Sequence, residues 1–180
     1  MILFDEIAET LDHAAIPFAL IGGAALAVYG VVRSTVDIDV LTTDPRVLDE
    51  SLWTALRPDA TMDVHRGDDD DPLAAAVRFR APGERDVDLM VGRSGWMDGV
   101  LTRQVTVPLP GRDVPVVTAG DLILLKLYAG GLQDRWDIEQ LLAAVPALSV
   151  RDDVESRLSD LPPYSGTLWH QIFGLSAPQA

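Results

Sequence analysis

The chain contains no cysteine and only three histidines, His13, His65 and His170, which lie far apart. Disulfide bonds and thiolate metal sites are therefore excluded, and the histidine spacing matches no zinc-binding pattern. The absence of cysteine is typical of proteins in reducing compartments, so we expect a cytoplasmic location.

Positive charge is also scarce, with 14 lysine and arginine residues against 28 aspartate and glutamate residues and a formal net charge of -14. A broad nucleic-acid-binding surface and binding to anionic membranes are therefore not expected. Residues 14–32 carry no charge, but one proline and three glycines interrupt them and acidic residues precede them. These features argue against both a membrane span and a signal peptide.

Apolar side chains are plentiful, at 48% of the 180 residues, which is enough for a hydrophobic core. The pattern predicts an α+β fold, in which helices pack on a small mixed or antiparallel sheet and further helices follow at the C-terminus. We expect an α/β core over residues 1–117 and a helical portion packed on it as one unit over 118–175. Residues 176–180 are expected to fray.

Turn and capping signals predict further elements within this core. A proline directly after Asp44 is typical of a helix start, and we expect that helix to run to about Leu56. Residues 57–72 are polar and rich in aspartate, which predicts a solvated loop. Residues 75–80 and 87–91 are rich in apolar side chains and are separated by a Pro-Gly pair, which predicts two strands joined as a hairpin.

The most informative motif is a strand in which carboxylates alternate with branched apolar residues, Val36-Asp37-Ile38-Asp39-Val40. Side chains of a strand alternate between its two faces, so Asp37 and Asp39 point the same way. Two parallel carboxylates are suited to a divalent cation such as magnesium. The pair Gly22-Gly23 follows a buried apolar strand, and a glycine turn there lets backbone amides approach a phosphate. Taken alone, Gly22-Gly23 also fits a glycine turn that serves packing. The aspartate pair alone also fits an acidic strand face exposed to solvent.

A third acidic residue strengthens the metal-site hypothesis. Asp88 lies in Asp86-Val87-Asp88-Leu89, which repeats the alternation of carboxylates with apolar residues. An adjacent strand would place Asp88 beside Asp37 and Asp39 and complete a three-carboxylate site for two metal ions. The alternative is a row of solvent-facing acids on an edge strand.

Together with Arg33-Ser34-Thr35 ahead of the aspartate strand, these motifs resemble the minimal nucleotidyltransferases of the DNA polymerase β-like superfamily. Within it they resemble the group that contains the AbiEii-type toxins of type IV toxin–antitoxin systems. The resemblance spans residues 15–145 and includes a second block, Asp121-Leu122-Ile123-Leu124-Leu125-Lys126-Leu127-Tyr128-Ala129 and then Asp134-Arg135-Trp136-Asp137-Ile138-Glu139. It implies the nucleotidyltransferase fold, a nucleoside triphosphate substrate, magnesium as cofactor and an antitoxin protein as a candidate partner.

The resemblance also implies roles for single residues. The implied catalytic residues are Asp37, Asp39, Asp88, Lys126 and Asp134. Of these, the three that would ligate metal are Asp37, Asp39 and Asp88. The implied nucleotide-binding residues are Gly22, Gly23, Arg33, Thr35 and Lys126. Gly22, Gly23 and Lys126 would contact the triphosphate. Arg33 and Thr35 would order the loop before the aspartate strand, and Arg33 would also reach a phosphate.

Lys126 has a second interpretation that needs no resemblance. It is a single cation in an apolar predicted helix, so its ammonium group must reach solvent or pair with a carboxylate. Asp134 and Asp137 are the nearest candidates along the chain. The two interpretations, phosphate contact and structural ion pair, both remain open at this point.

The chain departs from the family pattern in two places. Many relatives have serine where this chain has Gly23, and many have basic residues where this chain has Gly131-Leu132-Gln133. The second departure argues against a nucleic-acid acceptor more than against the metal site. We expect magnesium-dependent transfer of a nucleoside monophosphate from a triphosphate to an acceptor hydroxyl on RNA such as tRNA, on a protein or on a small molecule. The alternative is a catalytically inactive nucleotidyltransferase-like binding module or toxin–antitoxin component.

Overall fold

The computed structural model describes residues 2–69, 71, 73–93 and 95–176. The chain divides into two compact units. The first consists of Met1–Ala24 and Ser34–Val116, and the second of Ala25–Arg33 and Val117–Ala180. Of the tail predicted to fray, 177–180 lie outside the described residues.

A seven-stranded mixed sheet forms the first unit, with strand order β3-β4-β5-β2-β1-β7-β6. Its strands are β1 (Ala19–Leu20), β2 (Asp37–Thr42), β3 (Thr61–Arg66), β4 (Leu73–Arg80), β5 (Asp86–Gly92), β6 (Val105–Leu109) and β7 (Arg112–Val116). The β2/β5 and β1/β7 pairs are parallel, and the other neighbours are antiparallel. The predicted hairpin is confirmed as β4 and β5.

Three α-helices in the described part of the chain belong wholly or partly to this unit. They are α1 (Leu3–His13), α2 (Gly22–Val28), which begins in the first unit and ends in the second, and α3 (Gly95–Thr102). Helix α1 buries its apolar side chains at helical spacing, as its sequence predicts: Leu3, Phe4, Ile7, Ala8 and Leu11. In the sheet, strands β4 and β5 bury Val77, Phe79, Val87 and Leu89 completely. These side chains form much of the core beneath the central strands.

Among its described residues, the second unit contains four further α-helices, α4 (Ala119–Ala129), α5 (Leu132–Ala144), α6 (Ala147–Glu155) and α7 (Pro163–Ser176), and a short 3-10 helix, Leu158–Asp160. Helix α4 begins where Thr118 accepts a hydrogen bond from the Asp121 amide. It ends at Gly130, which has a left-handed φ of 68° and donates its amide to the Lys126 carbonyl. Both ends therefore follow from local sequence signals, a capping threonine before the apolar run and a glycine after it.

Helix α4 is the centre of the second unit and packs against α5, α6 and α7. Two hydrogen bonds join its last turn to α7: Tyr164 Oη donates to the Tyr128 carbonyl at 2.6 Å, and Ser165 Oγ donates to the Leu127 carbonyl at 3.1 Å. Trp169 of α7 is fully buried. The almost wholly apolar sequence of α4 is explained by burial on several sides.

The helix predicted to run from Asp44 to about Leu56 is wrong. Two short 3-10 helices, Pro45–Leu48 and Glu50–Trp53, replace it. Asp49 stands between them in an extended conformation, and its carboxylate accepts a hydrogen bond from the Ser51 amide. Asp44 caps the first turn in the same way through the Arg46 amide. The second capping aspartate therefore ends one helical turn and begins another.

The loop predicted over residues 57–72 is also wrong in part, because β3 occupies Thr61–Arg66. This strand lies at the edge of the sheet, where Met62 and Val64 are partly buried and the residues between them are exposed. An edge strand with one solvated face has little apolar content, so its composition resembles that of a loop.

The predicted α+β class is confirmed by this mixed sheet with helices before, between and after its strands. In the part of the chain that the structure describes, no helix combines the length and the apolar character needed to cross a membrane.

Candidate metal and nucleotide site

Three carboxylates converge on adjacent strands of the first unit. Strands β2 and β5 run parallel with Asp39 opposite Asp88, and Asp37 lies two residues before Asp39 on the same face. One oxygen from each of the three side chains lies within 4.8 Å of the other two. The structure thus brings together the three residues that the sequence singled out as candidate metal ligands.

The apolar partners in these strands explain why the carboxylates share one face. Val40, Val87 and Leu89 are fully buried on the opposite side of the sheet. A shift of either strand by one residue would bury its carboxylates in the core, so the register is strongly determined. Asp88 is itself only 5% exposed, whereas Asp37 and Asp39 are more accessible.

Gly22 lies directly against this carboxylate group. Its φ is +57°, and a Cβ atom added there would lie 1.9 Å from Oδ2 of Asp39. A side chain at this position would therefore both strain the backbone and collide with the carboxylate. The glycine allows the turn after β1 to approach the aspartate strand closely.

Gly23 makes room for Thr35 rather than for a side chain of its own. A Cβ atom at position 23 would lie 2.9 Å from the Thr35 Cβ. The Thr35 hydroxyl lies 3.0 Å from the Asp37 carbonyl and 3.2 Å from Asp37 Oδ1. Serine at position 23 would need Thr35 to move, so glycine has a steric reason here.

Arg78 of β4 is a site residue that the sequence analysis missed. Its Nε donates to Asp88 Oδ1 at 2.6 Å, its Nη2 donates to Asp88 Oδ2, and the same Nη2 lies 3.9 Å from Asp37 Oδ2. The hydrogen bonds to Asp88 hold the pKa of the Arg78 guanidinium above its ordinary value. The predicted hairpin contained the signal, because antiparallel pairing places Arg78 opposite Asp88.

The second unit contains a separate buried ion cluster built around Asp137. This carboxylate is fully buried, with Lys126 Nζ at 2.5 Å from Oδ2 and Arg33 Nε at 3.1 Å from Oδ1. Gln133 Nε2 also donates to Oδ1 at 3.1 Å. Lys126 makes a further contact of 3.2 Å with Asp134. The structural ion pair considered for Lys126 is therefore present, while contact of Lys126, Asp134 or Arg33 with a nucleotide stays a prediction.

The carboxylate group of the first unit fits a hard divalent cation. Magnesium prefers oxygen ligands and is usually held by one or two carboxylates together with phosphate oxygens. Three carboxylates with oxygens within 4.8 Å supply such donors, and their accumulated negative charge favours a bound cation. The observed arrangement can therefore hold a divalent cation next to the Gly22 turn.

Comparison with known proteins agrees with this chemistry. The model of the family described as Nucleotidyl transferase AbiEii toxin, Type IV TA system, matches residues 7–158. The chain belongs to this family and is a nucleotidyltransferase. The predicted family and enzyme class are confirmed, and with them the transfer of a nucleotide from a nucleoside triphosphate. A search of curated proteins finds no match.

Solved nucleotidyltransferases share the fold. The solution structure of the antibiotic-resistance factor ANT(2'')-Ia is 16% identical, covers 94% of this chain and 95% of that one, and has a TM-score of 0.60. The crystal structure of ANT(2'')-Ia in complex with adenylyl-2''-tobramycin is 17% identical, with 86% and 96% coverage and a TM-score of 0.56. An antigenic nucleotidyltransferase-like protein from Paracoccidioides brasiliensis is 18% identical, with 93% coverage of each chain and a TM-score of 0.52. The predicted nucleotidyltransferase fold is thereby confirmed.

Proposed function

We propose that the protein is a magnesium-dependent enzyme that moves a nucleoside monophosphate from a nucleoside triphosphate to an acceptor hydroxyl, with release of pyrophosphate. The observation that carries the proposal is the convergence of Asp37, Asp39 and Asp88 within 4.8 Å in a nucleotidyltransferase fold. Magnesium bound there would supply Lewis-acid stabilisation of the charge that develops on the phosphate. Asp37 and Asp39 would hold the metal, and Asp88 would complete the donor set on the neighbouring strand.

The remaining roles concern the triphosphate. Gly22 and Gly23 would let backbone amides approach the phosphate chain, because neither carries a side chain that would stand in the way. Thr35 would keep the loop before β2 in place through its hydrogen bond with Asp37. From the family pattern we also propose Arg33, Lys126 and Asp134 as contributors to nucleotide binding. Asp137 would then fix the direction of the Arg33 and Lys126 side chains, to which it is bonded.

The acceptor is proposed from charge and family. A toxin of a type IV system acts on a component of the cell, which allows RNA or protein hydroxyls, and a net charge of -14 disfavours an extended RNA surface. A small-molecule acceptor is the further possibility, since ANT(2'')-Ia was solved with adenylyl-2''-tobramycin. We also propose a cytoplasmic location and an antitoxin protein as partner, in keeping with the toxin family.

Two observations favour a second candidate function, a nucleotide-binding module without turnover. Gly131-Leu132-Gln133 stands where many relatives carry basic residues, and Arg78 engages the Asp88 carboxylate. A protein of this kind would bind triphosphate without transferring it.

Labelling of a whole-cell extract separates the two candidates. The protein is incubated with magnesium, an extract and each of the four α-labelled triphosphates in turn, and the RNA, protein and small-molecule fractions are counted. An active enzyme labels one fraction with one triphosphate, and the Asp37→Asn/Asp39→Asn variant does not. Absence of variant-sensitive label from every fraction, together with magnesium-dependent triphosphate binding measured by calorimetry, would support the binding module and contradict the enzyme.

A further inference from the structure

Arg78 places a fixed positive charge inside the carboxylate group of the first unit. Its guanidinium forms a two-pronged contact with Asp88, whose side chain is only 8% exposed, and it lies 3.9 Å from Asp37. Paired N–H groups on both oxygens of one carboxylate form one of the strongest neutralising contacts that a protein can make. Both oxygens that Asp88 offers to a metal are therefore already engaged by this chain's own cation.

Asp37 differs from Asp88 in this respect. Arg78 reaches Asp37 only at 3.9 Å, and the Asp37 side chain is 35% exposed. A divalent ion held between Asp37 and Asp39 would therefore leave the Arg78–Asp88 contact in place. An ion that uses Asp88 shares these oxygens with the guanidinium and is repelled by its positive charge, which weakens ion binding unless another anion draws the guanidinium away.

A triphosphate is such an anion. Arginine matches phosphate oxygens as well as it matches a carboxylate, and the Arg78 side chain is 38% exposed, so it has room to turn toward solvent. We infer that Arg78 is an internal counterion that competes with divalent metal for Asp88, so that the site binds its second ion weakly while no triphosphate is present. This inference rests on the proposed metal-dependent function and deepens it.

A structural role for Arg78 is the competing explanation, because cross-strand ion pairs also stabilise hairpins. Arg80 provides the matched control. It lies two residues further along the same face of β4 and pairs with Asp86 at 3.1 Å, outside the three-carboxylate group. A purely structural role predicts similar behaviour for both arginines, whereas the counterion role predicts a metal-binding effect for Arg78 alone.

The test is a titration of the nucleotide-free protein with Mn²⁺, in which electron paramagnetic resonance measures the concentration of free ion. Wild-type protein is expected to bind one ion well and a second ion weakly. Arg78→Met should bind the second ion at least about 10-fold more tightly, which corresponds to about 1.4 kcal/mol, and Arg80→Met should match the wild type. In an Asp88→Asn background, Arg78→Met should have no effect on Mn²⁺ binding.

A second variant and a second readout cover loss of folding. Arg78→Gln keeps a hydrogen-bonding group without the charge, and Mn²⁺ should raise its thermal midpoint more than that of the wild type. Unchanged binding of the second ion in both Arg78 variants would overturn the inference while leaving the metal site intact. If Asp39→Asn left Mn²⁺ binding unchanged from the wild type, or if the wild type bound no Mn²⁺, the proposed metal site itself would be overturned.

Discussion

Replacing Asp37 and Asp39 together by asparagine is expected to lower the rate of nucleotide transfer by at least about 1,000-fold. That factor corresponds to roughly 4 kcal/mol of transition-state stabilisation, within the range that a bound metal ion supplies to phosphate chemistry. Asparagine keeps the size of each side chain and removes its charge, so the metal loses its ligands while β2 keeps its packing. The measurement is the initial rate of label transfer from the α-labelled triphosphate to the acceptor fraction that the extract identifies.

Asp86→Asn is the matched control for this experiment. Asp86 stands opposite Asp37 in the β2/β5 register, yet it lies outside the three-carboxylate group. It pairs instead with Arg80 on the exposed part of the sheet. Its variant should transfer nucleotide within about twofold of the wild-type rate, because exposed ion pairs contribute little. Equal losses in both variants would mean that overall charge, not metal ligation, explains the effect.

Replacing Asp137 by asparagine is expected to cause the largest loss of stability, about 3 kcal/mol in the free energy of unfolding. The Asp137 side chain is 0% exposed and its two oxygens contact Lys126 and Arg33. Removal of its charge leaves two cations partly uncompensated in a buried place. The loss should fall at the lower end of the range for broken buried pairs, because Lys126 keeps its 3.2 Å contact with Asp134.

Urea unfolding followed by circular dichroism measures this loss, and Glu139→Gln is its control. Glu139 lies two residues further along α5 in an exposed pair with Arg135, with both side chains 38% exposed. Its loss should change the free energy of unfolding by at most about 0.5 kcal/mol. An Asp137→Asn variant as stable as Glu139→Gln would show that the buried cluster does not hold the second unit together.

The parts of the fold that the sequence predicts well are those where local chemistry and burial agree. Helix α4 is such a case, since Thr118 caps its start, Gly130 ends it and nearly every residue between them is apolar. The interval after Asp44 is the opposite case, because capping signals recur at Asp49 within a few residues. A second capping residue inside a predicted helix can interrupt it, and the spacing of apolar residues alone does not reveal this interruption.

The sequence predicts those residues of the candidate site whose positions follow from the alternation of side chains along a strand. Asp37, Asp39 and Asp88 meet because period 2 fixes their faces and parallel pairing brings β2 beside β5. Arg78 required the hairpin register as well, which follows from the turn and not from either strand alone. The central position of Asp137 depended on tertiary packing, since Arg33 reaches it from a distant part of the chain.

Anomalous X-ray scattering from crystals grown with Mn²⁺ and a non-hydrolysable nucleoside triphosphate would locate the metal centre. We expect anomalous peaks within coordination distance of carboxylate oxygens of Asp37 and Asp39, shared with phosphate oxygens, and none there in Asp37→Asn/Asp39→Asn crystals. Nucleotide bound away from Asp37, Asp39 and Asp88, or manganese bound only elsewhere on the protein, would contradict the claim that these carboxylates form the metal centre.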